Sequence, residues 1–371
     1  MHNRVTVEGP HDTAGWRPGL PAGQFSMEAV DGFDVKERVN RVTNAFVHAY
    51  EPIRVFLYPT DVPARSLNFL ARALLRPWQR EFGGTYLFER VSHERRAHFR
   101  LLAPDLNWLA GREDGTERIA ELTGDSGRRY LLVDSRDDSR VVDQEGVVSL
   151  KVSLRTPASV RGHVICVPYV DTVDDCGYYP ANSTRRLDYG AAFVGNATPY
   201  RTEVLSHVAA KAPFPVYFRE RRECFLDRHL RSDAAPYNRP EEAERREARQ
   251  EYLDSALRSR HILALAGHGA NTSRFFESMA LGIAPILVTG SVSLPFTDQI
   301  PYEEFSLHLD THGLEAAETA RRIVDSVTEN WSLAPARGRL ARLYYDSYLS
   351  RARLLYHIYL RLREILADPR L

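Results

Sequence analysis

The chain has 371 residues, 43% hydrophobic and 26% charged, with 49 basic and 49 acidic side chains that cancel to a formal charge of zero. This excludes a disordered tail, a disulfide mini-protein and a collagen-like fibre, and the lack of a net positive field argues against nucleic acid as a partner. The length exceeds the ~250–300 residues at which a single core stops growing, so two domains are expected.

Residues 1–44 read as a partly flexible leader. Met1 to Gln24 carries four glycines and three prolines and little apolar material, so neither a signal peptide nor an anchor is expected there. An α/β domain is expected over 45–185, with strands at Ile53–Tyr58, Tyr130–Asp134 and Val164–Tyr169 and a helix over Arg65–Phe82. Val147–Leu154 stays open between strand and loop, and Glu89–Gly127 carries no pattern that assigns it. The polar stretch Asp171–Arg186, with Gly177, Pro180 and Asn182, marks a hinge.

A second α/β domain follows over 186–335. Strands are expected at Ala191–Gly195, Val216–Phe218, His261–Leu265, Pro285–Thr289 and Phe305–Leu309. Helices are expected at Tyr200–Lys211, Glu241–Leu257, Ser273–Leu281 and Leu314–Trp331. Strands separated by helices imply parallel pairing. Residues 336–371 place Leu340, Leu343, Tyr344, Tyr348, Leu354, Leu355, Ile358, Tyr359, Leu362 and Ile365 at helical spacing opposite an arginine-rich face. The uncharged run Ser278–Thr297 is interrupted by Gly282, Pro285, Gly290 and Pro295, which reads as helix end, strand and turn rather than a membrane span. Cys166, Cys176 and Cys224 are odd in number and scattered, which fits a reducing compartment. The four Asn-x-Ser/Thr triplets, beginning at Asn182, Asn196, Asn271 and Asn330, are then chance matches.

The chemistry concentrates in Leu265-Ala-Gly-His-Gly-Ala-Asn-Thr-Ser-Arg-Phe-Phe-Glu277. A buried strand ends, Gly267 and Gly269 let backbone approach a ligand around His268, and Thr272 or Ser273 caps the next helix. The exposed amides at Asn271 to Ser273 and the positive helix end suit a phosphate. Arg274 lies in the first turn and can grip the same phosphate, and Glu277 lies one turn deeper, where a carboxylate can accept from ribose hydroxyls. The plainer alternative is a capped helix with an Arg/Glu pair at i, i+3, since the third glycine of a dinucleotide fingerprint and the Gly-Lys-Ser/Thr of a P-loop are both missing.

The run from Tyr252-Leu-Asp-Ser-Ala-Leu-Arg-Ser-Arg260 through Gly267-His-Gly269, Ser273-Arg274-Phe-Phe-Glu277, Leu281-Gly-Ile-Ala-Pro-Ile-Leu-Val288 and Leu294-Pro-Phe296 to Phe305-Ser-Leu-His-Leu309 resembles the exostosin family of glycosyltransferases, family 47. Upstream, Ala192-Phe-Val-Gly195 followed by Arg201 resembles the first strand of the family's C-terminal half, and Val164–Tyr169 the strand and Pro-Tyr before it. The resemblance implies an α/β GT-B fold: two facing Rossmann-like domains, with the acceptor on the first, the nucleotide-sugar on the second and a long C-terminal helix crossing back. One departure stands out. Where the family has cysteine, proline, arginine before the first loop glycine, this chain has Ala264, Leu265 and Ala266. Arg201, at the mouth of another helix, is the candidate to supply the missing charge.

The implied activity is inverting transfer from a UDP-sugar to a hydroxyl of a glycan or other acceptor, as in polysaccharide biosynthesis. A GDP-sugar-using enzyme of the fucosyltransferase type and a non-catalytic nucleotide-sugar-binding protein are the alternatives. Neither a cofactor nor a metal is expected, since no Asp-x-Asp triplet or Cys/His cluster is present and Asp137-Asp138 and Asp174-Asp175 read as solvated turns. The general base should come from the first domain. Asp134, at the end of a predicted parallel strand, leads, followed by Asp137 and Asp138. Tyr200, Phe296 and Tyr302 are candidates to stack on the nucleotide base, with core packing as the alternative. The expected setting is cytoplasmic, with any contact at the inner face of the membrane peripheral and carried by the arginines of the terminal helix.

Overall fold

A computed structural model describes residues 51–59, 66–75, 87–111, 115–124, 127–137, 140–142, 144–155, 163–169, 186–221, 240–267, 269 and 271–368. The leader and the hinge expected at 171–185 lie outside them. Two sheets form, and every strand pair in both is parallel.

The first sheet has six strands: β1 (Ile53–Tyr58), β2 (Phe88–Arg90), β3 (Phe99–Leu102), β4 (Tyr130–Asp134), β5 (Val147–Lys151) and β6 (His163–Cys166), in the order β2-β1-β3-β4-β5-β6. One of its faces packs against α1 (Phe69–Leu75) and the other against α2 (Leu106–Ala110) and α3 (Gly115–Thr123). β4 and β5 are buried along their whole length, as an interior parallel strand covered on both faces must be. The open segment Val147–Leu154 is therefore a strand as far as Lys151, and the unassigned stretch after Glu89 supplies β3, α2 and α3.

The second sheet holds β7 (Tyr189–Asn196), β8 (Val216–Arg221), β9 (Ser259–Leu265), β10 (Ala284–Thr289) and β11 (Leu307–Asp310), in the order β11-β10-β9-β7-β8. Helices α4 (Pro199–Lys211) and α7 (Ala316–Glu329) cover one face, and α5 (Pro240–Leu257) and α6 (Ser273–Leu281) lie on the other. From β7 the chain runs outward to β8 and then crosses back to place β9 on the other side of β7. The strand order reverses there, which is where open α/β sheets leave a ligand crevice at their carboxyl ends.

The terminal segment breaks once. Helix α8 (Ala334–Tyr344) runs into a π-helical turn, Tyr345–Leu349, and α9 (Arg351–Ala367) starts after Ser350. α8 rests on the second sheet's side, where the Tyr344 ring stacks on Phe305 at 5.4 Å. α9 reaches the first sheet: Tyr359 Oη donates to the Glu51 carbonyl at 2.9 Å and its ring meets Phe88 edge-on at 6.2 Å. The expected crossing back is thus present, and the apolar face does this packing. Four of the arginines opposite it also find partners in the protein, while Arg339 is exposed. Arg337 donates to the carbonyls of Glu303 and Glu304, Arg342 to that of Ala280, Arg361 pairs with Asp298, and Arg363 with Glu51. Among the described residues no helix is long and apolar enough to cross a membrane.

Gly338 lies in α8 where that helix meets the end of α6. A Cβ there would press on the Gly282 carbonyl oxygen and lie 3.0 Å from its carbon and 3.2 Å from Ile283 Cα. These are backbone atoms that cannot rotate away, so Gly338→Ala should push α8 outward and cost roughly 1–3 kcal/mol in urea unfolding. Gly290→Ala, whose nearest neighbour is His312 at 3.8 Å, should stay within about 0.5 kcal/mol of the parent.

Candidate active site

β9 ends at Leu265, and the Ala266 amide still donates to the Val288 carbonyl at 2.9 Å, so the loop leaves the sheet only at Gly267. Thr272 caps α6, its Oγ1 accepting from the Arg274 amide at 3.3 Å. Phe275, Phe276, Met279, Ala280 and Leu281 are buried and fix the helix against the sheet. The helix mouth therefore opens at the carboxyl edge of β9, as the glycine spacing predicts.

Arg201 occupies the reversal point between β7 and β9. It sits in the first turn of α4, which is capped by Thr198. Its guanidinium donates to the carbonyls of Asn196 at 3.1 Å, Leu265 at 2.6 Å and Ala266 at 3.1 Å. A Cβ on Gly267 would come within 2.6 Å of its Nη2. The loop lacks an arginine of its own at Ala266, and the Arg201 charge lies against that same backbone.

Arg274 and Glu277 are arranged differently from the division into phosphate and ribose ligands. Glu277 is 1% exposed, and its two oxygens pair with Arg274 and with Arg249, the latter at 3.1 Å. The Arg274 Nε donates to the Val194 carbonyl at 2.8 Å, and its guanidinium lies over the Tyr252 ring at 4.2 Å. With i, i+3 spacing on a helix packed tightly against α5, each is the other's nearest partner. The pair ties α6 to β7 and α5. Asn271 is also inward: it donates through Nδ2 to the Val152 carbonyl at 3.3 Å, and its Oδ1 accepts from the Thr272 amide at 2.8 Å. Ser273 is half-buried in the first turn.

Opposite the loop stand the carboxyl ends of β4, β5 and β6. Asp134 is 0% exposed and takes both Nε and Nη2 of Arg136, at 2.9 and 2.8 Å, with Lys151 Nζ at 3.3 Å. A buried carboxylate neutralised by two cations has no lone pair turned to a substrate, so Asp134 is a structural anchor and not the leading base. Asp137 is exposed, and its Oδ1 accepts from Tyr169 Oη at 2.5 Å. A Cβ on Gly269 would lie 3.1 Å from Asp137 Oδ1 and 2.7 Å from Ser153 Oγ. This brings the second loop glycine and the acceptor-side acid into direct apposition. Asp138 and His268 lie outside the described residues. Tyr302 and Phe296 are core, Tyr302 donating to the Pro295 carbonyl at 2.9 Å. Tyr200 is exposed near the α4 mouth and bonded to Thr319.

The sequence reading missed Asp105, Ser153 and Tyr169. Asp105 caps α2 and accepts from the Asn107 amide at 2.8 Å and from Ser135 Oγ at 2.6 Å. The signal was local, an aspartate directly before an apolar helical turn in a stretch left unassigned. Ser153 lies just past a strand whose end was not fixed. Among the described residues no group of three or more His, Cys, Asp or Glu could hold a metal ion.

A family model described as the exostosin GT47 domain matches residues 108–326, more than half of the chain. The chain belongs to the exostosin family of glycosyltransferases, and its two parallel α/β sheets are the GT-B architecture that the motifs implied. No curated protein sequence matches it. Solved structures with distant likeness include MurG of Acinetobacter baumannii, 11% identical over 84% of this chain and 100% of that one at a TM-score of 0.37. The calicheamicin glycosyltransferase CalG4 is 14% identical over 86% and 100%, at 0.34. The glycosyltransferase VinC, solved with dTDP, is 11% identical over 93% and 84%, at 0.32. At such scores no side chain of those sites is carried over.

Burial pushes the Asp105 carboxyl up to about 6, with the charge of Asp134 adding to the effect and the Ser135 and Asn107 donors opposing it. Its folded value lies above the unfolded one near 4, so the folded chain binds more protons between the two, and this group's contribution to stability falls as pH rises through 6. Asp105→Asn keeps an acceptor without the charge. It should raise the thermal midpoint at pH 7.5 and leave it nearly unchanged at pH 4; an equal shift at both values would refute the buried-charge account.

Proposed function

We propose that this exostosin-family chain is an inverting glycosyltransferase that moves a hexosyl or glycuronosyl group from a UDP-sugar to a hydroxyl of a glycan or other acceptor, without a metal ion. The supporting observation is the apposition of Gly269 and Asp137 across the cleft, with Arg201 behind the loop. The diphosphate would lie along Gly267 to Ser273, against the positive end of α6 and the Arg201 charge. Asp137 would take the acceptor hydroxyl proton while that oxygen bonds to the far face of the anomeric carbon. The bond from that carbon to the diphosphate oxygen breaks, and its electron pair leaves with the nucleotide.

Arg201 takes the place of metal and loop arginine in stabilising the leaving group, so the negative charge meets a fixed guanidinium rather than a recruited cation. The odd, scattered cysteines support a cytoplasmic setting, and the zero formal charge argues against nucleic acid as a partner.

Three measurements test this. A thermal-shift panel should show stabilisation by UDP or a UDP-sugar and little by GDP; the reverse would move the enzyme to the GDP-sugar class. Donor turnover should survive EDTA, whereas loss in EDTA and recovery with manganese would overturn metal independence. Asp137→Asn should lower kcat by ~10²–10⁴ with donor KM little changed. UDP binding without turnover in the parent protein would instead identify a non-catalytic binder.

A further inference from the structure

We propose that Lys151 is a positioning residue for the acceptor side of the reaction, holding the segment that carries Asp137 at the distance from the donor loop that transfer needs. This rests on the assignment of Asp137 as the base. The first ground is compositional. Arginine fills 46 of the 49 basic positions, and the lysines are Lys36, Lys151 and Lys211. Lys36 lies outside the described residues and Lys211 is exposed at the end of α4, so Lys151 is the described lysine that the fold buries completely. Burying an ammonium group costs several kcal/mol unless its charge and its donors are satisfied. A chain that otherwise uses guanidinium groups has a compact cation at this buried position.

The second ground is geometric. Lys151 Nζ donates to the Arg136 carbonyl at 2.7 Å and pairs with Asp134 Oδ2 at 3.3 Å. The same Asp134 carboxylate accepts from the Arg136 amide at 3.1 Å and from its guanidinium at 2.9 and 2.8 Å. Residue 136 is therefore pinned at its amide, its side chain and its carbonyl. Asp137 follows directly, and its own carbonyl accepts from Ser153 Oγ at 3.2 Å, two residues beyond Lys151. Ser153 Oγ in turn accepts from the Asn271 amide of the donor loop at 3.4 Å. The end of β5 thus fixes the backbone on both sides of the base and ties it to the loop across the cleft. A displacement of about 1 Å at a reacting group can lower turnover ~10²-fold, so a pin that touches no substrate can still set the rate.

The test compares Lys151→Met, the double variant Lys151→Met/Asp134→Asn, Ser153→Ala and Asp137→Asn with the parent. Thermal midpoint, kcat, donor KM and the pH profile of kcat are measured for each. Lys151→Met leaves Asp134 paired with Arg136, so residue 136 loses its hold only at the carbonyl, and kcat should fall ~10- to 100-fold with donor KM within about twofold. Its kcat should also respond to pH through a shifted acid limb, which a change in folding alone would not move. The double variant also takes the carboxylate away from the Arg136 guanidinium, so it should lose more of the thermal midpoint than Lys151→Met, with kcat no higher than that of the single variant. Ser153→Ala should lower kcat less, with a lower midpoint from the loss of two hydrogen bonds of a buried side chain. Lys151→Met with parental kcat and pH profile would overturn the inference and leave Lys151 a structural charge. An active Asp137→Asn would overturn the base assignment itself, and the inference about Lys151 with it; an inactive Asp137→Asn beside a fully active Lys151→Met would refute the inference alone.

Discussion

The two halves of the site meet because the chain runs straight on after β5. Val152 and Ser153 leave the first sheet still buried, and their polar atoms reach the second half: Val152 accepts from Asn271 Nδ2, Ser153 Oγ from the Asn271 amide, and the Leu154 carbonyl accepts from the Ser293 amide at 2.8 Å. A parallel strand buried on both faces cannot be displaced without exposing its apolar residues, so these bonds inherit the rigidity of the sheet. The loop at Gly269 and Asn271 is held to the end of the first sheet through them. Gly269 is the consequence, since any side chain there would meet Ser153 or Asp137. The terminal helices hold the same two halves from behind, through apolar packing that includes Leu354, Ile358 and Leu362.

Much of the guanidinium charge serves backbone carbonyls rather than solvent. Arg201 closes the carboxyl ends of β7 and β9, Arg274 that of β7, Arg342 the end of α6, and Arg337 the turn before β11. Strand and helix ends leave carbonyls without intra-element partners. A planar cation with several donors satisfies two or three of them at once. Composition therefore misleads about the terminal helix: an arginine stripe that reads as a basic membrane-facing surface is in large part turned inward to carbonyls and carboxylates of its own chain.

The elements most legible in the sequence were those long enough to show a period. β1, β4 and α6 fall where the pattern puts them, and β9, β10 and α4 differ by one or two residues at an end. β2 and β3 have three and four residues, too few for alternation, and Phe-Arg-Leu-Leu mixes polar and apolar positions because Arg100 is tied to Glu94 and Tyr130. The donor loop was legible because glycine and a capping threonine have narrow conformational uses. The acids were not. Asp134, Asp105 and Asp137 are the same residue type near the ends of neighbouring strands, and only their partners, which are distant in sequence, separate an anchor, a cap and an exposed carboxylate.

That separation has an electrostatic logic. Three ionised carboxylates at one sheet edge would repel, and two of them would do so in a medium that screens poorly. Asp134 is neutralised by Lys151 and Arg136, and Asp105 is driven toward its neutral form by burial and by Asp134. Below pH 6 the edge then carries the Asp134 carboxylate between two cations and a protonated cap, and Asp137 stands exposed beside the hydroxyl of Tyr169. Burial raises the Tyr169 hydroxyl well above its ordinary range, and the adjacent Asp137 charge raises it further, so the phenol keeps its proton and remains a donor. A carboxylate at the surface that accepts one hydrogen bond from a phenol keeps lone pairs open to solvent, whereas one clasped by a guanidinium and an ammonium in the interior has them occupied. On that difference the proposed role of base falls to Asp137 rather than to Asp134.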